Sequence, residues 1–216
     1  RRVLTAAAEN ITPVVAELGG TAACIIFDDA DLDAAANLSA HQGPIMQAGQ
    51  SCACCSRILV QDNVYDAFME KFLAAVARAP IGDPLRSDVL FGPVINQAAA
   101  DRILKTIERA VTQGFGELVL GDNRIGGELA AGFYVEPTVF ADVDNSSPLA
   151  QQETFGPVVS VMRFSDDAQA VDLAVVAGVV AGVLLGTSPA SAAPSEPVLF
   201  QGVVRGVVVD RLATQV

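Results

Sequence analysis

Three of the chain's four cysteines fall within four residues of one another, in Ala48-Gly49-Gln50-Ser51-Cys52-Ala53-Cys54-Cys55-Ser56-Arg57. A helix-like run leads into this stretch, and the apolar strand Ile58-Leu59-Val60 leaves it. A thiol in a Gly-containing turn between two regular elements is placed as a nucleophile would be, presented by a loop on a rigid scaffold. Cys52 is the candidate. Cys54 and Cys55 read as packing residues, the common fate of a free thiol. Oxidation of Cys52 onto either of them is a foreseeable artefact. Zinc is not expected, because Cys-x-Cys-Cys lacks a second pair of ligands at metal-site spacing. His41 is the sole histidine. It has no identifiable orienting partner for a Cys–His pair and reads as a helix-surface or core residue. Asp28, Asp29, Asp31 and Asp33 lack the glycine and terminal glutamate of a calcium loop, so they read as a turn and helix cap.

The elements that must position Cys52 alternate. Arg1 to Asn10 reads as the last turns of a helix, and Val14 to Leu18 as a short strand running into Gly19-Gly20. A strand over Ala22 to Phe27 precedes a helix from about Leu32, with Gly43-Pro44 interrupting it. The strand Arg57 to Gln61 leads to a helix capped by Asn63, with Tyr65, Phe68, Met69, Phe72 and Val76 on its apolar face. A helix over about Gln97 to Thr112 carries Ile103, Leu104, Ile107 and Val111 at helical spacing. Extended stretches follow at Glu117 to Leu120, Phe133 to Phe140 and Pro157 to Phe164, and Asp166-Asp167 begins a further helix. This alternation predicts an α/β fold, an open and largely parallel sheet flanked by helices. At about Leu173 the composition changes. From there to Val216 the charged residues are Glu196, Arg205, Asp210 and Arg211. Residues 188–197 read as a Ser/Ala/Pro linker, and 201–209 as one last strand. We therefore expect a main domain over 1–172, beginning inside a helix, and a divergent or eroded segment over 173–216, as a shifted reading frame in a GC-rich gene would leave.

Bulk properties exclude several function classes. The net charge is −12 over 216 residues. That charge repels the phosphate backbone and anionic lipid surfaces, so neither nucleic acid nor membrane is expected as a partner. Clustered cysteines do not form a disulfide framework, and with no visible signal peptide a reducing, cytoplasmic compartment is expected. Hydrophobic residues make up 51% of the chain. Such a share points either to a well-buried α/β core or to surfaces meant to face another domain or subunit; self-association, as a homo-oligomer or through uncovered apolar surface, is expected.

Over about Arg1 to Leu173 the chain resembles the catalytic half of the aldehyde dehydrogenase superfamily. The motifs that carry the resemblance stand in the family's order. They are Glu17-Leu18-Gly19-Gly20, Phe27-Asp28-Asp29-Ala30-Asp31-Leu32-Asp33, Gly49-Gln50-Ser51-Cys52 with Arg57 beyond it, Gly82-Asp83-Pro84, Gly92-Pro93, Gly132-Phe133-Tyr134-Val135-Glu136-Pro137-Thr138 and Glu153-Thr154-Phe155-Gly156-Pro157. The resemblance implies NAD- or NADP-dependent oxidation of a small-molecule aldehyde to a carboxylic acid. Cys52 would form a thiohemiacetal and then a thioester, and Glu17 would activate the hydrolytic water. The Cys52 N–H would supply part of an oxyanion hole. Glu153 and Phe155, with Leu18 and Gly19, would bind the cofactor. Glu17 favours hydrolysis over acyl transfer to coenzyme A. The chain departs from the family at Thr21, where Lys is usual, and at Gln47, where Asn is usual. The Rossmann-like cofactor half that normally precedes Glu17 is absent from this sequence, so the isolated chain is expected to be inactive. The alternatives are a non-enzymatic remnant or interaction module, and a Cys52-dependent esterase.

Overall fold

The structure, a computed structural model, describes residues 2–16 and 18–175 and the backbone of 182–185. Its elements are α1 (Arg2–Glu9), β1 (Ala23–Ile26), α2 (Leu32–Ala40), β2 (Arg57–Gln61), α3 (Tyr65–Ala77), α4 (Gln97–Gln113), β3 (Glu117–Leu120), β4 (Thr138–Ala141), α5 (Pro148–Gln151), β5 (Val158–Phe164), α6 (Asp167–Ala174) and β6 (Gly182–Leu185). The strands form one sheet in the order β3-β4-β5-β2-β1-β6. Every pairing is parallel except β3 with β4. The open, largely parallel α/β sheet is thus present, with one antiparallel edge.

The central strands are largely apolar and buried, as expected where both sheet faces are covered. Side chains alternate across a strand, so neighbours enter different cores. Ile58 and Val60 face Ala35, Ala36, Phe68 and Phe72 on α2 and α3. Leu59 faces the opposite core, with Ile103 and Ile107 of α4, Phe91 and Ala170. Helix starts follow their caps. Asp31 accepts from Asp33 N and Ala34 N, and Asp166 accepts from Gln169 N. Each satisfies amide groups that the first helical turn leaves unpaired.

Several expectations are corrected. Of the strand expected over Val14 to Leu18, the described residues 14–16 and 18 lie in no strand; Val15 is 89% exposed. An apolar run becomes a strand only where a partner supplies the ladder. Asn63 does not cap α3: it sits inside a 3₁₀ turn over Asp62–Val64, Val64 takes the cap position, and the Asn63 amide donates to Asp28 Oδ2 at 2.7 Å. Val111 lies off the buried face of α4, which is instead built from Ala100, Ile103, Ile107 and Ala110. Within Phe133 to Phe140 the strand begins only at Thr138, after an isolated bridge between Arg124 and Val135. The linker and last strand expected after residue 187 lie outside the described residues. Among the described residues no helix is long and apolar enough to cross a membrane.

Candidate active site

The cysteine turn grows out of the broken end of α2. Pro44 has no N–H to donate, so regular helix gives way to a π-turn over His41–Ile45 and a 3₁₀ segment over Met46–Gly49. His41 lies exposed in that π-turn. Gln47, Ala48 and Gly49 then take φ values of 52°, 52° and 67°. The left-handed region is costly for residues with a Cβ, and Asn tolerates it better than Gln, so Gln47 carries a conformational cost that Asn would lessen. A Cβ on Gly49 would lie 2.1 Å from the Gly156 carbonyl oxygen. Only glycine lets the turn sit against the Gly156–Pro157 backbone.

Local bonds hold the tip. Ala53 N donates to Ser51 Oγ at 3.2 Å, Cys54 N to Ser51 O at 3.1 Å and Cys55 N to Gln42 O at 3.0 Å. Gln50 ties the turn to a neighbouring loop: its Oε1 accepts from Ile95 N at 2.8 Å and its Nε2 donates to Gln47 O at 3.0 Å. Cys52 is exposed at this tip, whereas Cys24, Cys54 and Cys55 are buried. The Cys52 N–H has no hydrogen-bond partner among the described residues. Burial pushes the Cys54 thiol up, and contact with Cys24 together with burial holds the Cys55 thiol well above its usual range. Both therefore stay protonated near neutral pH. Among the described residues no group of three or more His, Cys, Asp or Glu could hold a metal ion.

Arg57, at the start of β2, is fully buried. Its Nε and Nη2 donate to Thr21 O at 3.1 and 3.0 Å, and Nη2 also donates to Ala174 O at 2.9 Å. Its Nη1 donates to Asn145 Oδ1 at 3.1 Å and Leu173 O at 2.5 Å. Burial lowers its pKa to about 10, which leaves it charged at neutral pH. Its neutralisation comes from oxygen dipoles, including the C-terminal carbonyls of α6. Arg57 thereby ties the strand leaving the cysteine turn to the residue that follows Gly19-Gly20.

The structure seats Glu153 on that glycine pair. Its Oε1 accepts from Gly20 N at 3.2 Å, and a Cβ on Gly19 would lie 1.9 Å from Oε2. Phe155 has φ 47° and is 41% exposed, and Leu18 is 67% exposed. Glu17 lies outside the described residues. The fold thus brings Gly19, Glu153 and the cysteine turn to one edge, with Gly156 against Gly49. The cleft there, lined by Gly20, Gly49, Ser51 and Glu153–Gly156 among others, leaves about 10 Å³, room for about one water. This cleft by itself is too small to hold an aldehyde. Sequence reasoning missed Arg102, whose guanidinium donates to the carbonyls of Thr154 and Phe155. A helix-surface arginine bonded to backbone 52 residues away leaves no mark in the sequence.

Comparison with known proteins finds relatives of this chain in sequence and in fold. A family model described as the aldehyde dehydrogenase family matches residues 1–183. Glutarate-semialdehyde dehydrogenase of Pseudomonas putida is 41% identical over 175 residues, covering 79% of this chain and 34% of that protein. Betaine aldehyde dehydrogenase of Cereibacter sphaeroides is 40% identical over 171 residues, covering 79% and 34%. Among solved structures, gamma-glutamyl-gamma-aminobutyraldehyde dehydrogenase of Burkholderia cenocepacia superposes with a TM-score of 0.80 at 36% identity, covering 87% of this chain and 38% of that one. Betaine aldehyde dehydrogenase of Staphylococcus aureus in complex with NAD+ gives 0.78 at 33% identity, covering 86% and 37%. The chain spans about a third of the length of the curated relatives it matches.

Proposed function

This chain belongs to the aldehyde dehydrogenase family, and we propose that it carries the thiol of an enzyme that oxidises an aldehyde to a carboxylic acid with NAD or NADP. The observation that supports this most directly is the exposed Cys52, held on a left-handed turn against the segment that seats Glu153 on Gly19-Gly20. The residues present fit the nicotinamide end of the cofactor. Glu153 offers an exposed carboxylate to accept a ribose hydroxyl, and Phe155 an exposed ring for an aromatic face, with Leu18 and Gly19 beside them. When bound, the nicotinamide supplies the hydride acceptor.

The chain's own residues do the rest. The Cys52 thiolate adds to the carbonyl carbon, forming an S–C bond and moving the carbonyl π pair onto oxygen. The unpartnered Cys52 N–H donates to that oxyanion, one donor of an oxyanion hole. After oxidation the acyl group rests on Cys52 as a thioester. Glu17 then takes a proton from water, the water oxygen bonds to the acyl carbon, and sulfur leaves as thiolate. The choice of hydrolysis over acyl transfer rests on Glu17. The aldehyde itself is a small molecule that the described residues do not specify. The free, clustered thiols support a reducing, cytoplasmic setting.

We further propose that the 216-residue chain tested alone does not turn over, since the cleft beside the cysteine turn has room for only about one water. The test is NADH or NADPH formation with short aliphatic and aromatic aldehydes. The enzyme as its gene encodes it should show turnover that Cys52→Ala abolishes; no turnover there overturns the oxidation reading. Robust turnover by the isolated chain overturns the claim about the chain alone. A second reading, a Cys52-dependent esterase, is favoured by an exposed thiol with a free amide beside it. It predicts p-nitrophenyl acetate hydrolysis by the isolated chain that disappears in Cys52→Ala; hydrolysis that survives the substitution sinks it.

A further inference from the structure

We propose that Arg102 is a positioning residue: its guanidinium, by gripping the carbonyls of Thr154 and Phe155, sets the backbone that carries Glu153 and Phe155. The functional part of this claim rests on the cofactor-side reading above; the geometric part stands apart from it. In α4 the buried seam is Ala100, Ile103, Ile107 and Ala110. Arg102 lies beside that seam, so its side chain reaches over the helix edge to the loop before β5. There Nη1 donates to Thr154 O and Nη2 donates to Phe155 O at 3.3 Å.

A pleated strand sends successive carbonyls to opposite sides. One planar fork can hold two successive carbonyls only where the chain leaves the extended form. Phe155 does so, at φ 47°. That region is disfavoured for a residue with a Cβ, so an outside contact must keep it there. The guanidinium's fixed donors suit the task, whereas a lysine ammonium offers only a point charge.

The consequence spreads through three close approaches. Ile103, next to Arg102, packs where a Cβ on Gly156 would lie 2.4 Å from Ile103 Cδ1. Gly156 O abuts Gly49 in the cysteine turn, and Glu153 sits on Gly19 and Gly20. One helix edge thereby registers the cofactor-side pair against the nucleophile's turn.

The test uses Arg102→Met and Arg102→Lys in the enzyme as its gene encodes it. Loss of charge-assisted bonds of this kind is expected to speed amide exchange over residues 153–156 about tenfold in Arg102→Met, with a lesser rise at Gly20. The KM for NAD or NADP should rise about tenfold while the KM for aldehyde moves less than about twofold, a split that general loosening would not produce. Arg102→Lys should recover only part of both effects. Unchanged exchange over 153–156 overturns the proposal, as does full recovery by lysine or an equal rise in both KM values. If the unsubstituted enzyme oxidises no aldehyde, the functional reading has failed, and the exchange measurement alone decides the positioning claim.

Discussion

Gly49→Ala isolates the contact on which the cysteine turn depends. Gly49 has φ 67°, and a Cβ there would meet Gly156 O at 2.1 Å and Pro157 N at 2.9 Å. Those neighbours are backbone atoms, so no side-chain rotation relieves the overlap. The left-handed conformation alone costs an alanine about 1–2 kcal/mol. Forcing the two segments apart adds about 1–3 kcal/mol, by analogy with overpacked cores. Gly114 supplies the control: its φ is 66°, and a Cβ there would meet nothing within 4 Å. Gly114→Ala should therefore show the conformational cost without the overlap. The difference between the two variants, about 1–3 kcal/mol, corresponds to a gap of about 2–12 °C in melting temperature for a domain of this size. Thermal and denaturant unfolding read the stability, and iodoacetamide alkylation of Cys52 reads the turn. Gly49→Ala should alter the alkylation rate; Gly114→Ala should leave it unchanged. Equal destabilisation by both substitutions, with equal alkylation, would refute the close approach and the registry argued from it.

Native alkylation followed by mass spectrometry should modify Cys52 alone, and unfolding should expose all four thiols; fast native labelling of Cys54 or Cys55 contradicts their burial. Because burial raises the Cys54 thiol, the folded state holds its proton longer than the unfolded chain does. Its contribution to stability is complete below pH 9 and is lost as pH rises beyond it, which unfolding midpoints across alkaline pH will show. Arg57→Met removes the donor for the carbonyls of Thr21, Leu173 and Ala174 and for Asn145 Oδ1, at a cost of about 3–5 kcal/mol. With a folded pKa of about 10, Arg57 is protonated in both states near neutrality, so that loss should not vary between pH 6 and 8 in denaturant titrations. Ile11, Val15 and Leu18 are exposed on the segment leading to Gly19. We expect this surface to drive homo-oligomerisation, seen as a concentration-dependent sedimentation coefficient; a monomer across a wide concentration range counts against it.

Much of the fold is legible residue by residue. Ile58-Leu59-Val60 and Val158 to Phe164 are apolar runs too short for helices. Phe68, Phe72 and Val76 repeat at helical spacing, and Asp31 and Asp166 stand where caps belong. These signals are local, because side-chain direction repeats along each element and caps act over three residues. The motif around Cys52 is local too, and so is its break at Gly43-Pro44. What tertiary structure alone decided are relations between distant segments. Val14 to Leu18 has the composition of a strand, yet its described residues 14–16 and 18 lie in none, and Asn63 bonds to Asp28 instead of capping its own helix. The antiparallel edge of β3 on β4 depends on which strands meet. The seating of Glu153 on Gly19 and Gly20, the approach of Gly156 to Gly49, and the grip of Arg102 on Thr154 and Phe155 join residues far apart in the chain. Propensity and periodicity report each residue's own neighbourhood. A glycine's necessity at a contact, or an arginine's partner carbonyls, exists only once the sheet and helix α4 have brought the two backbones together.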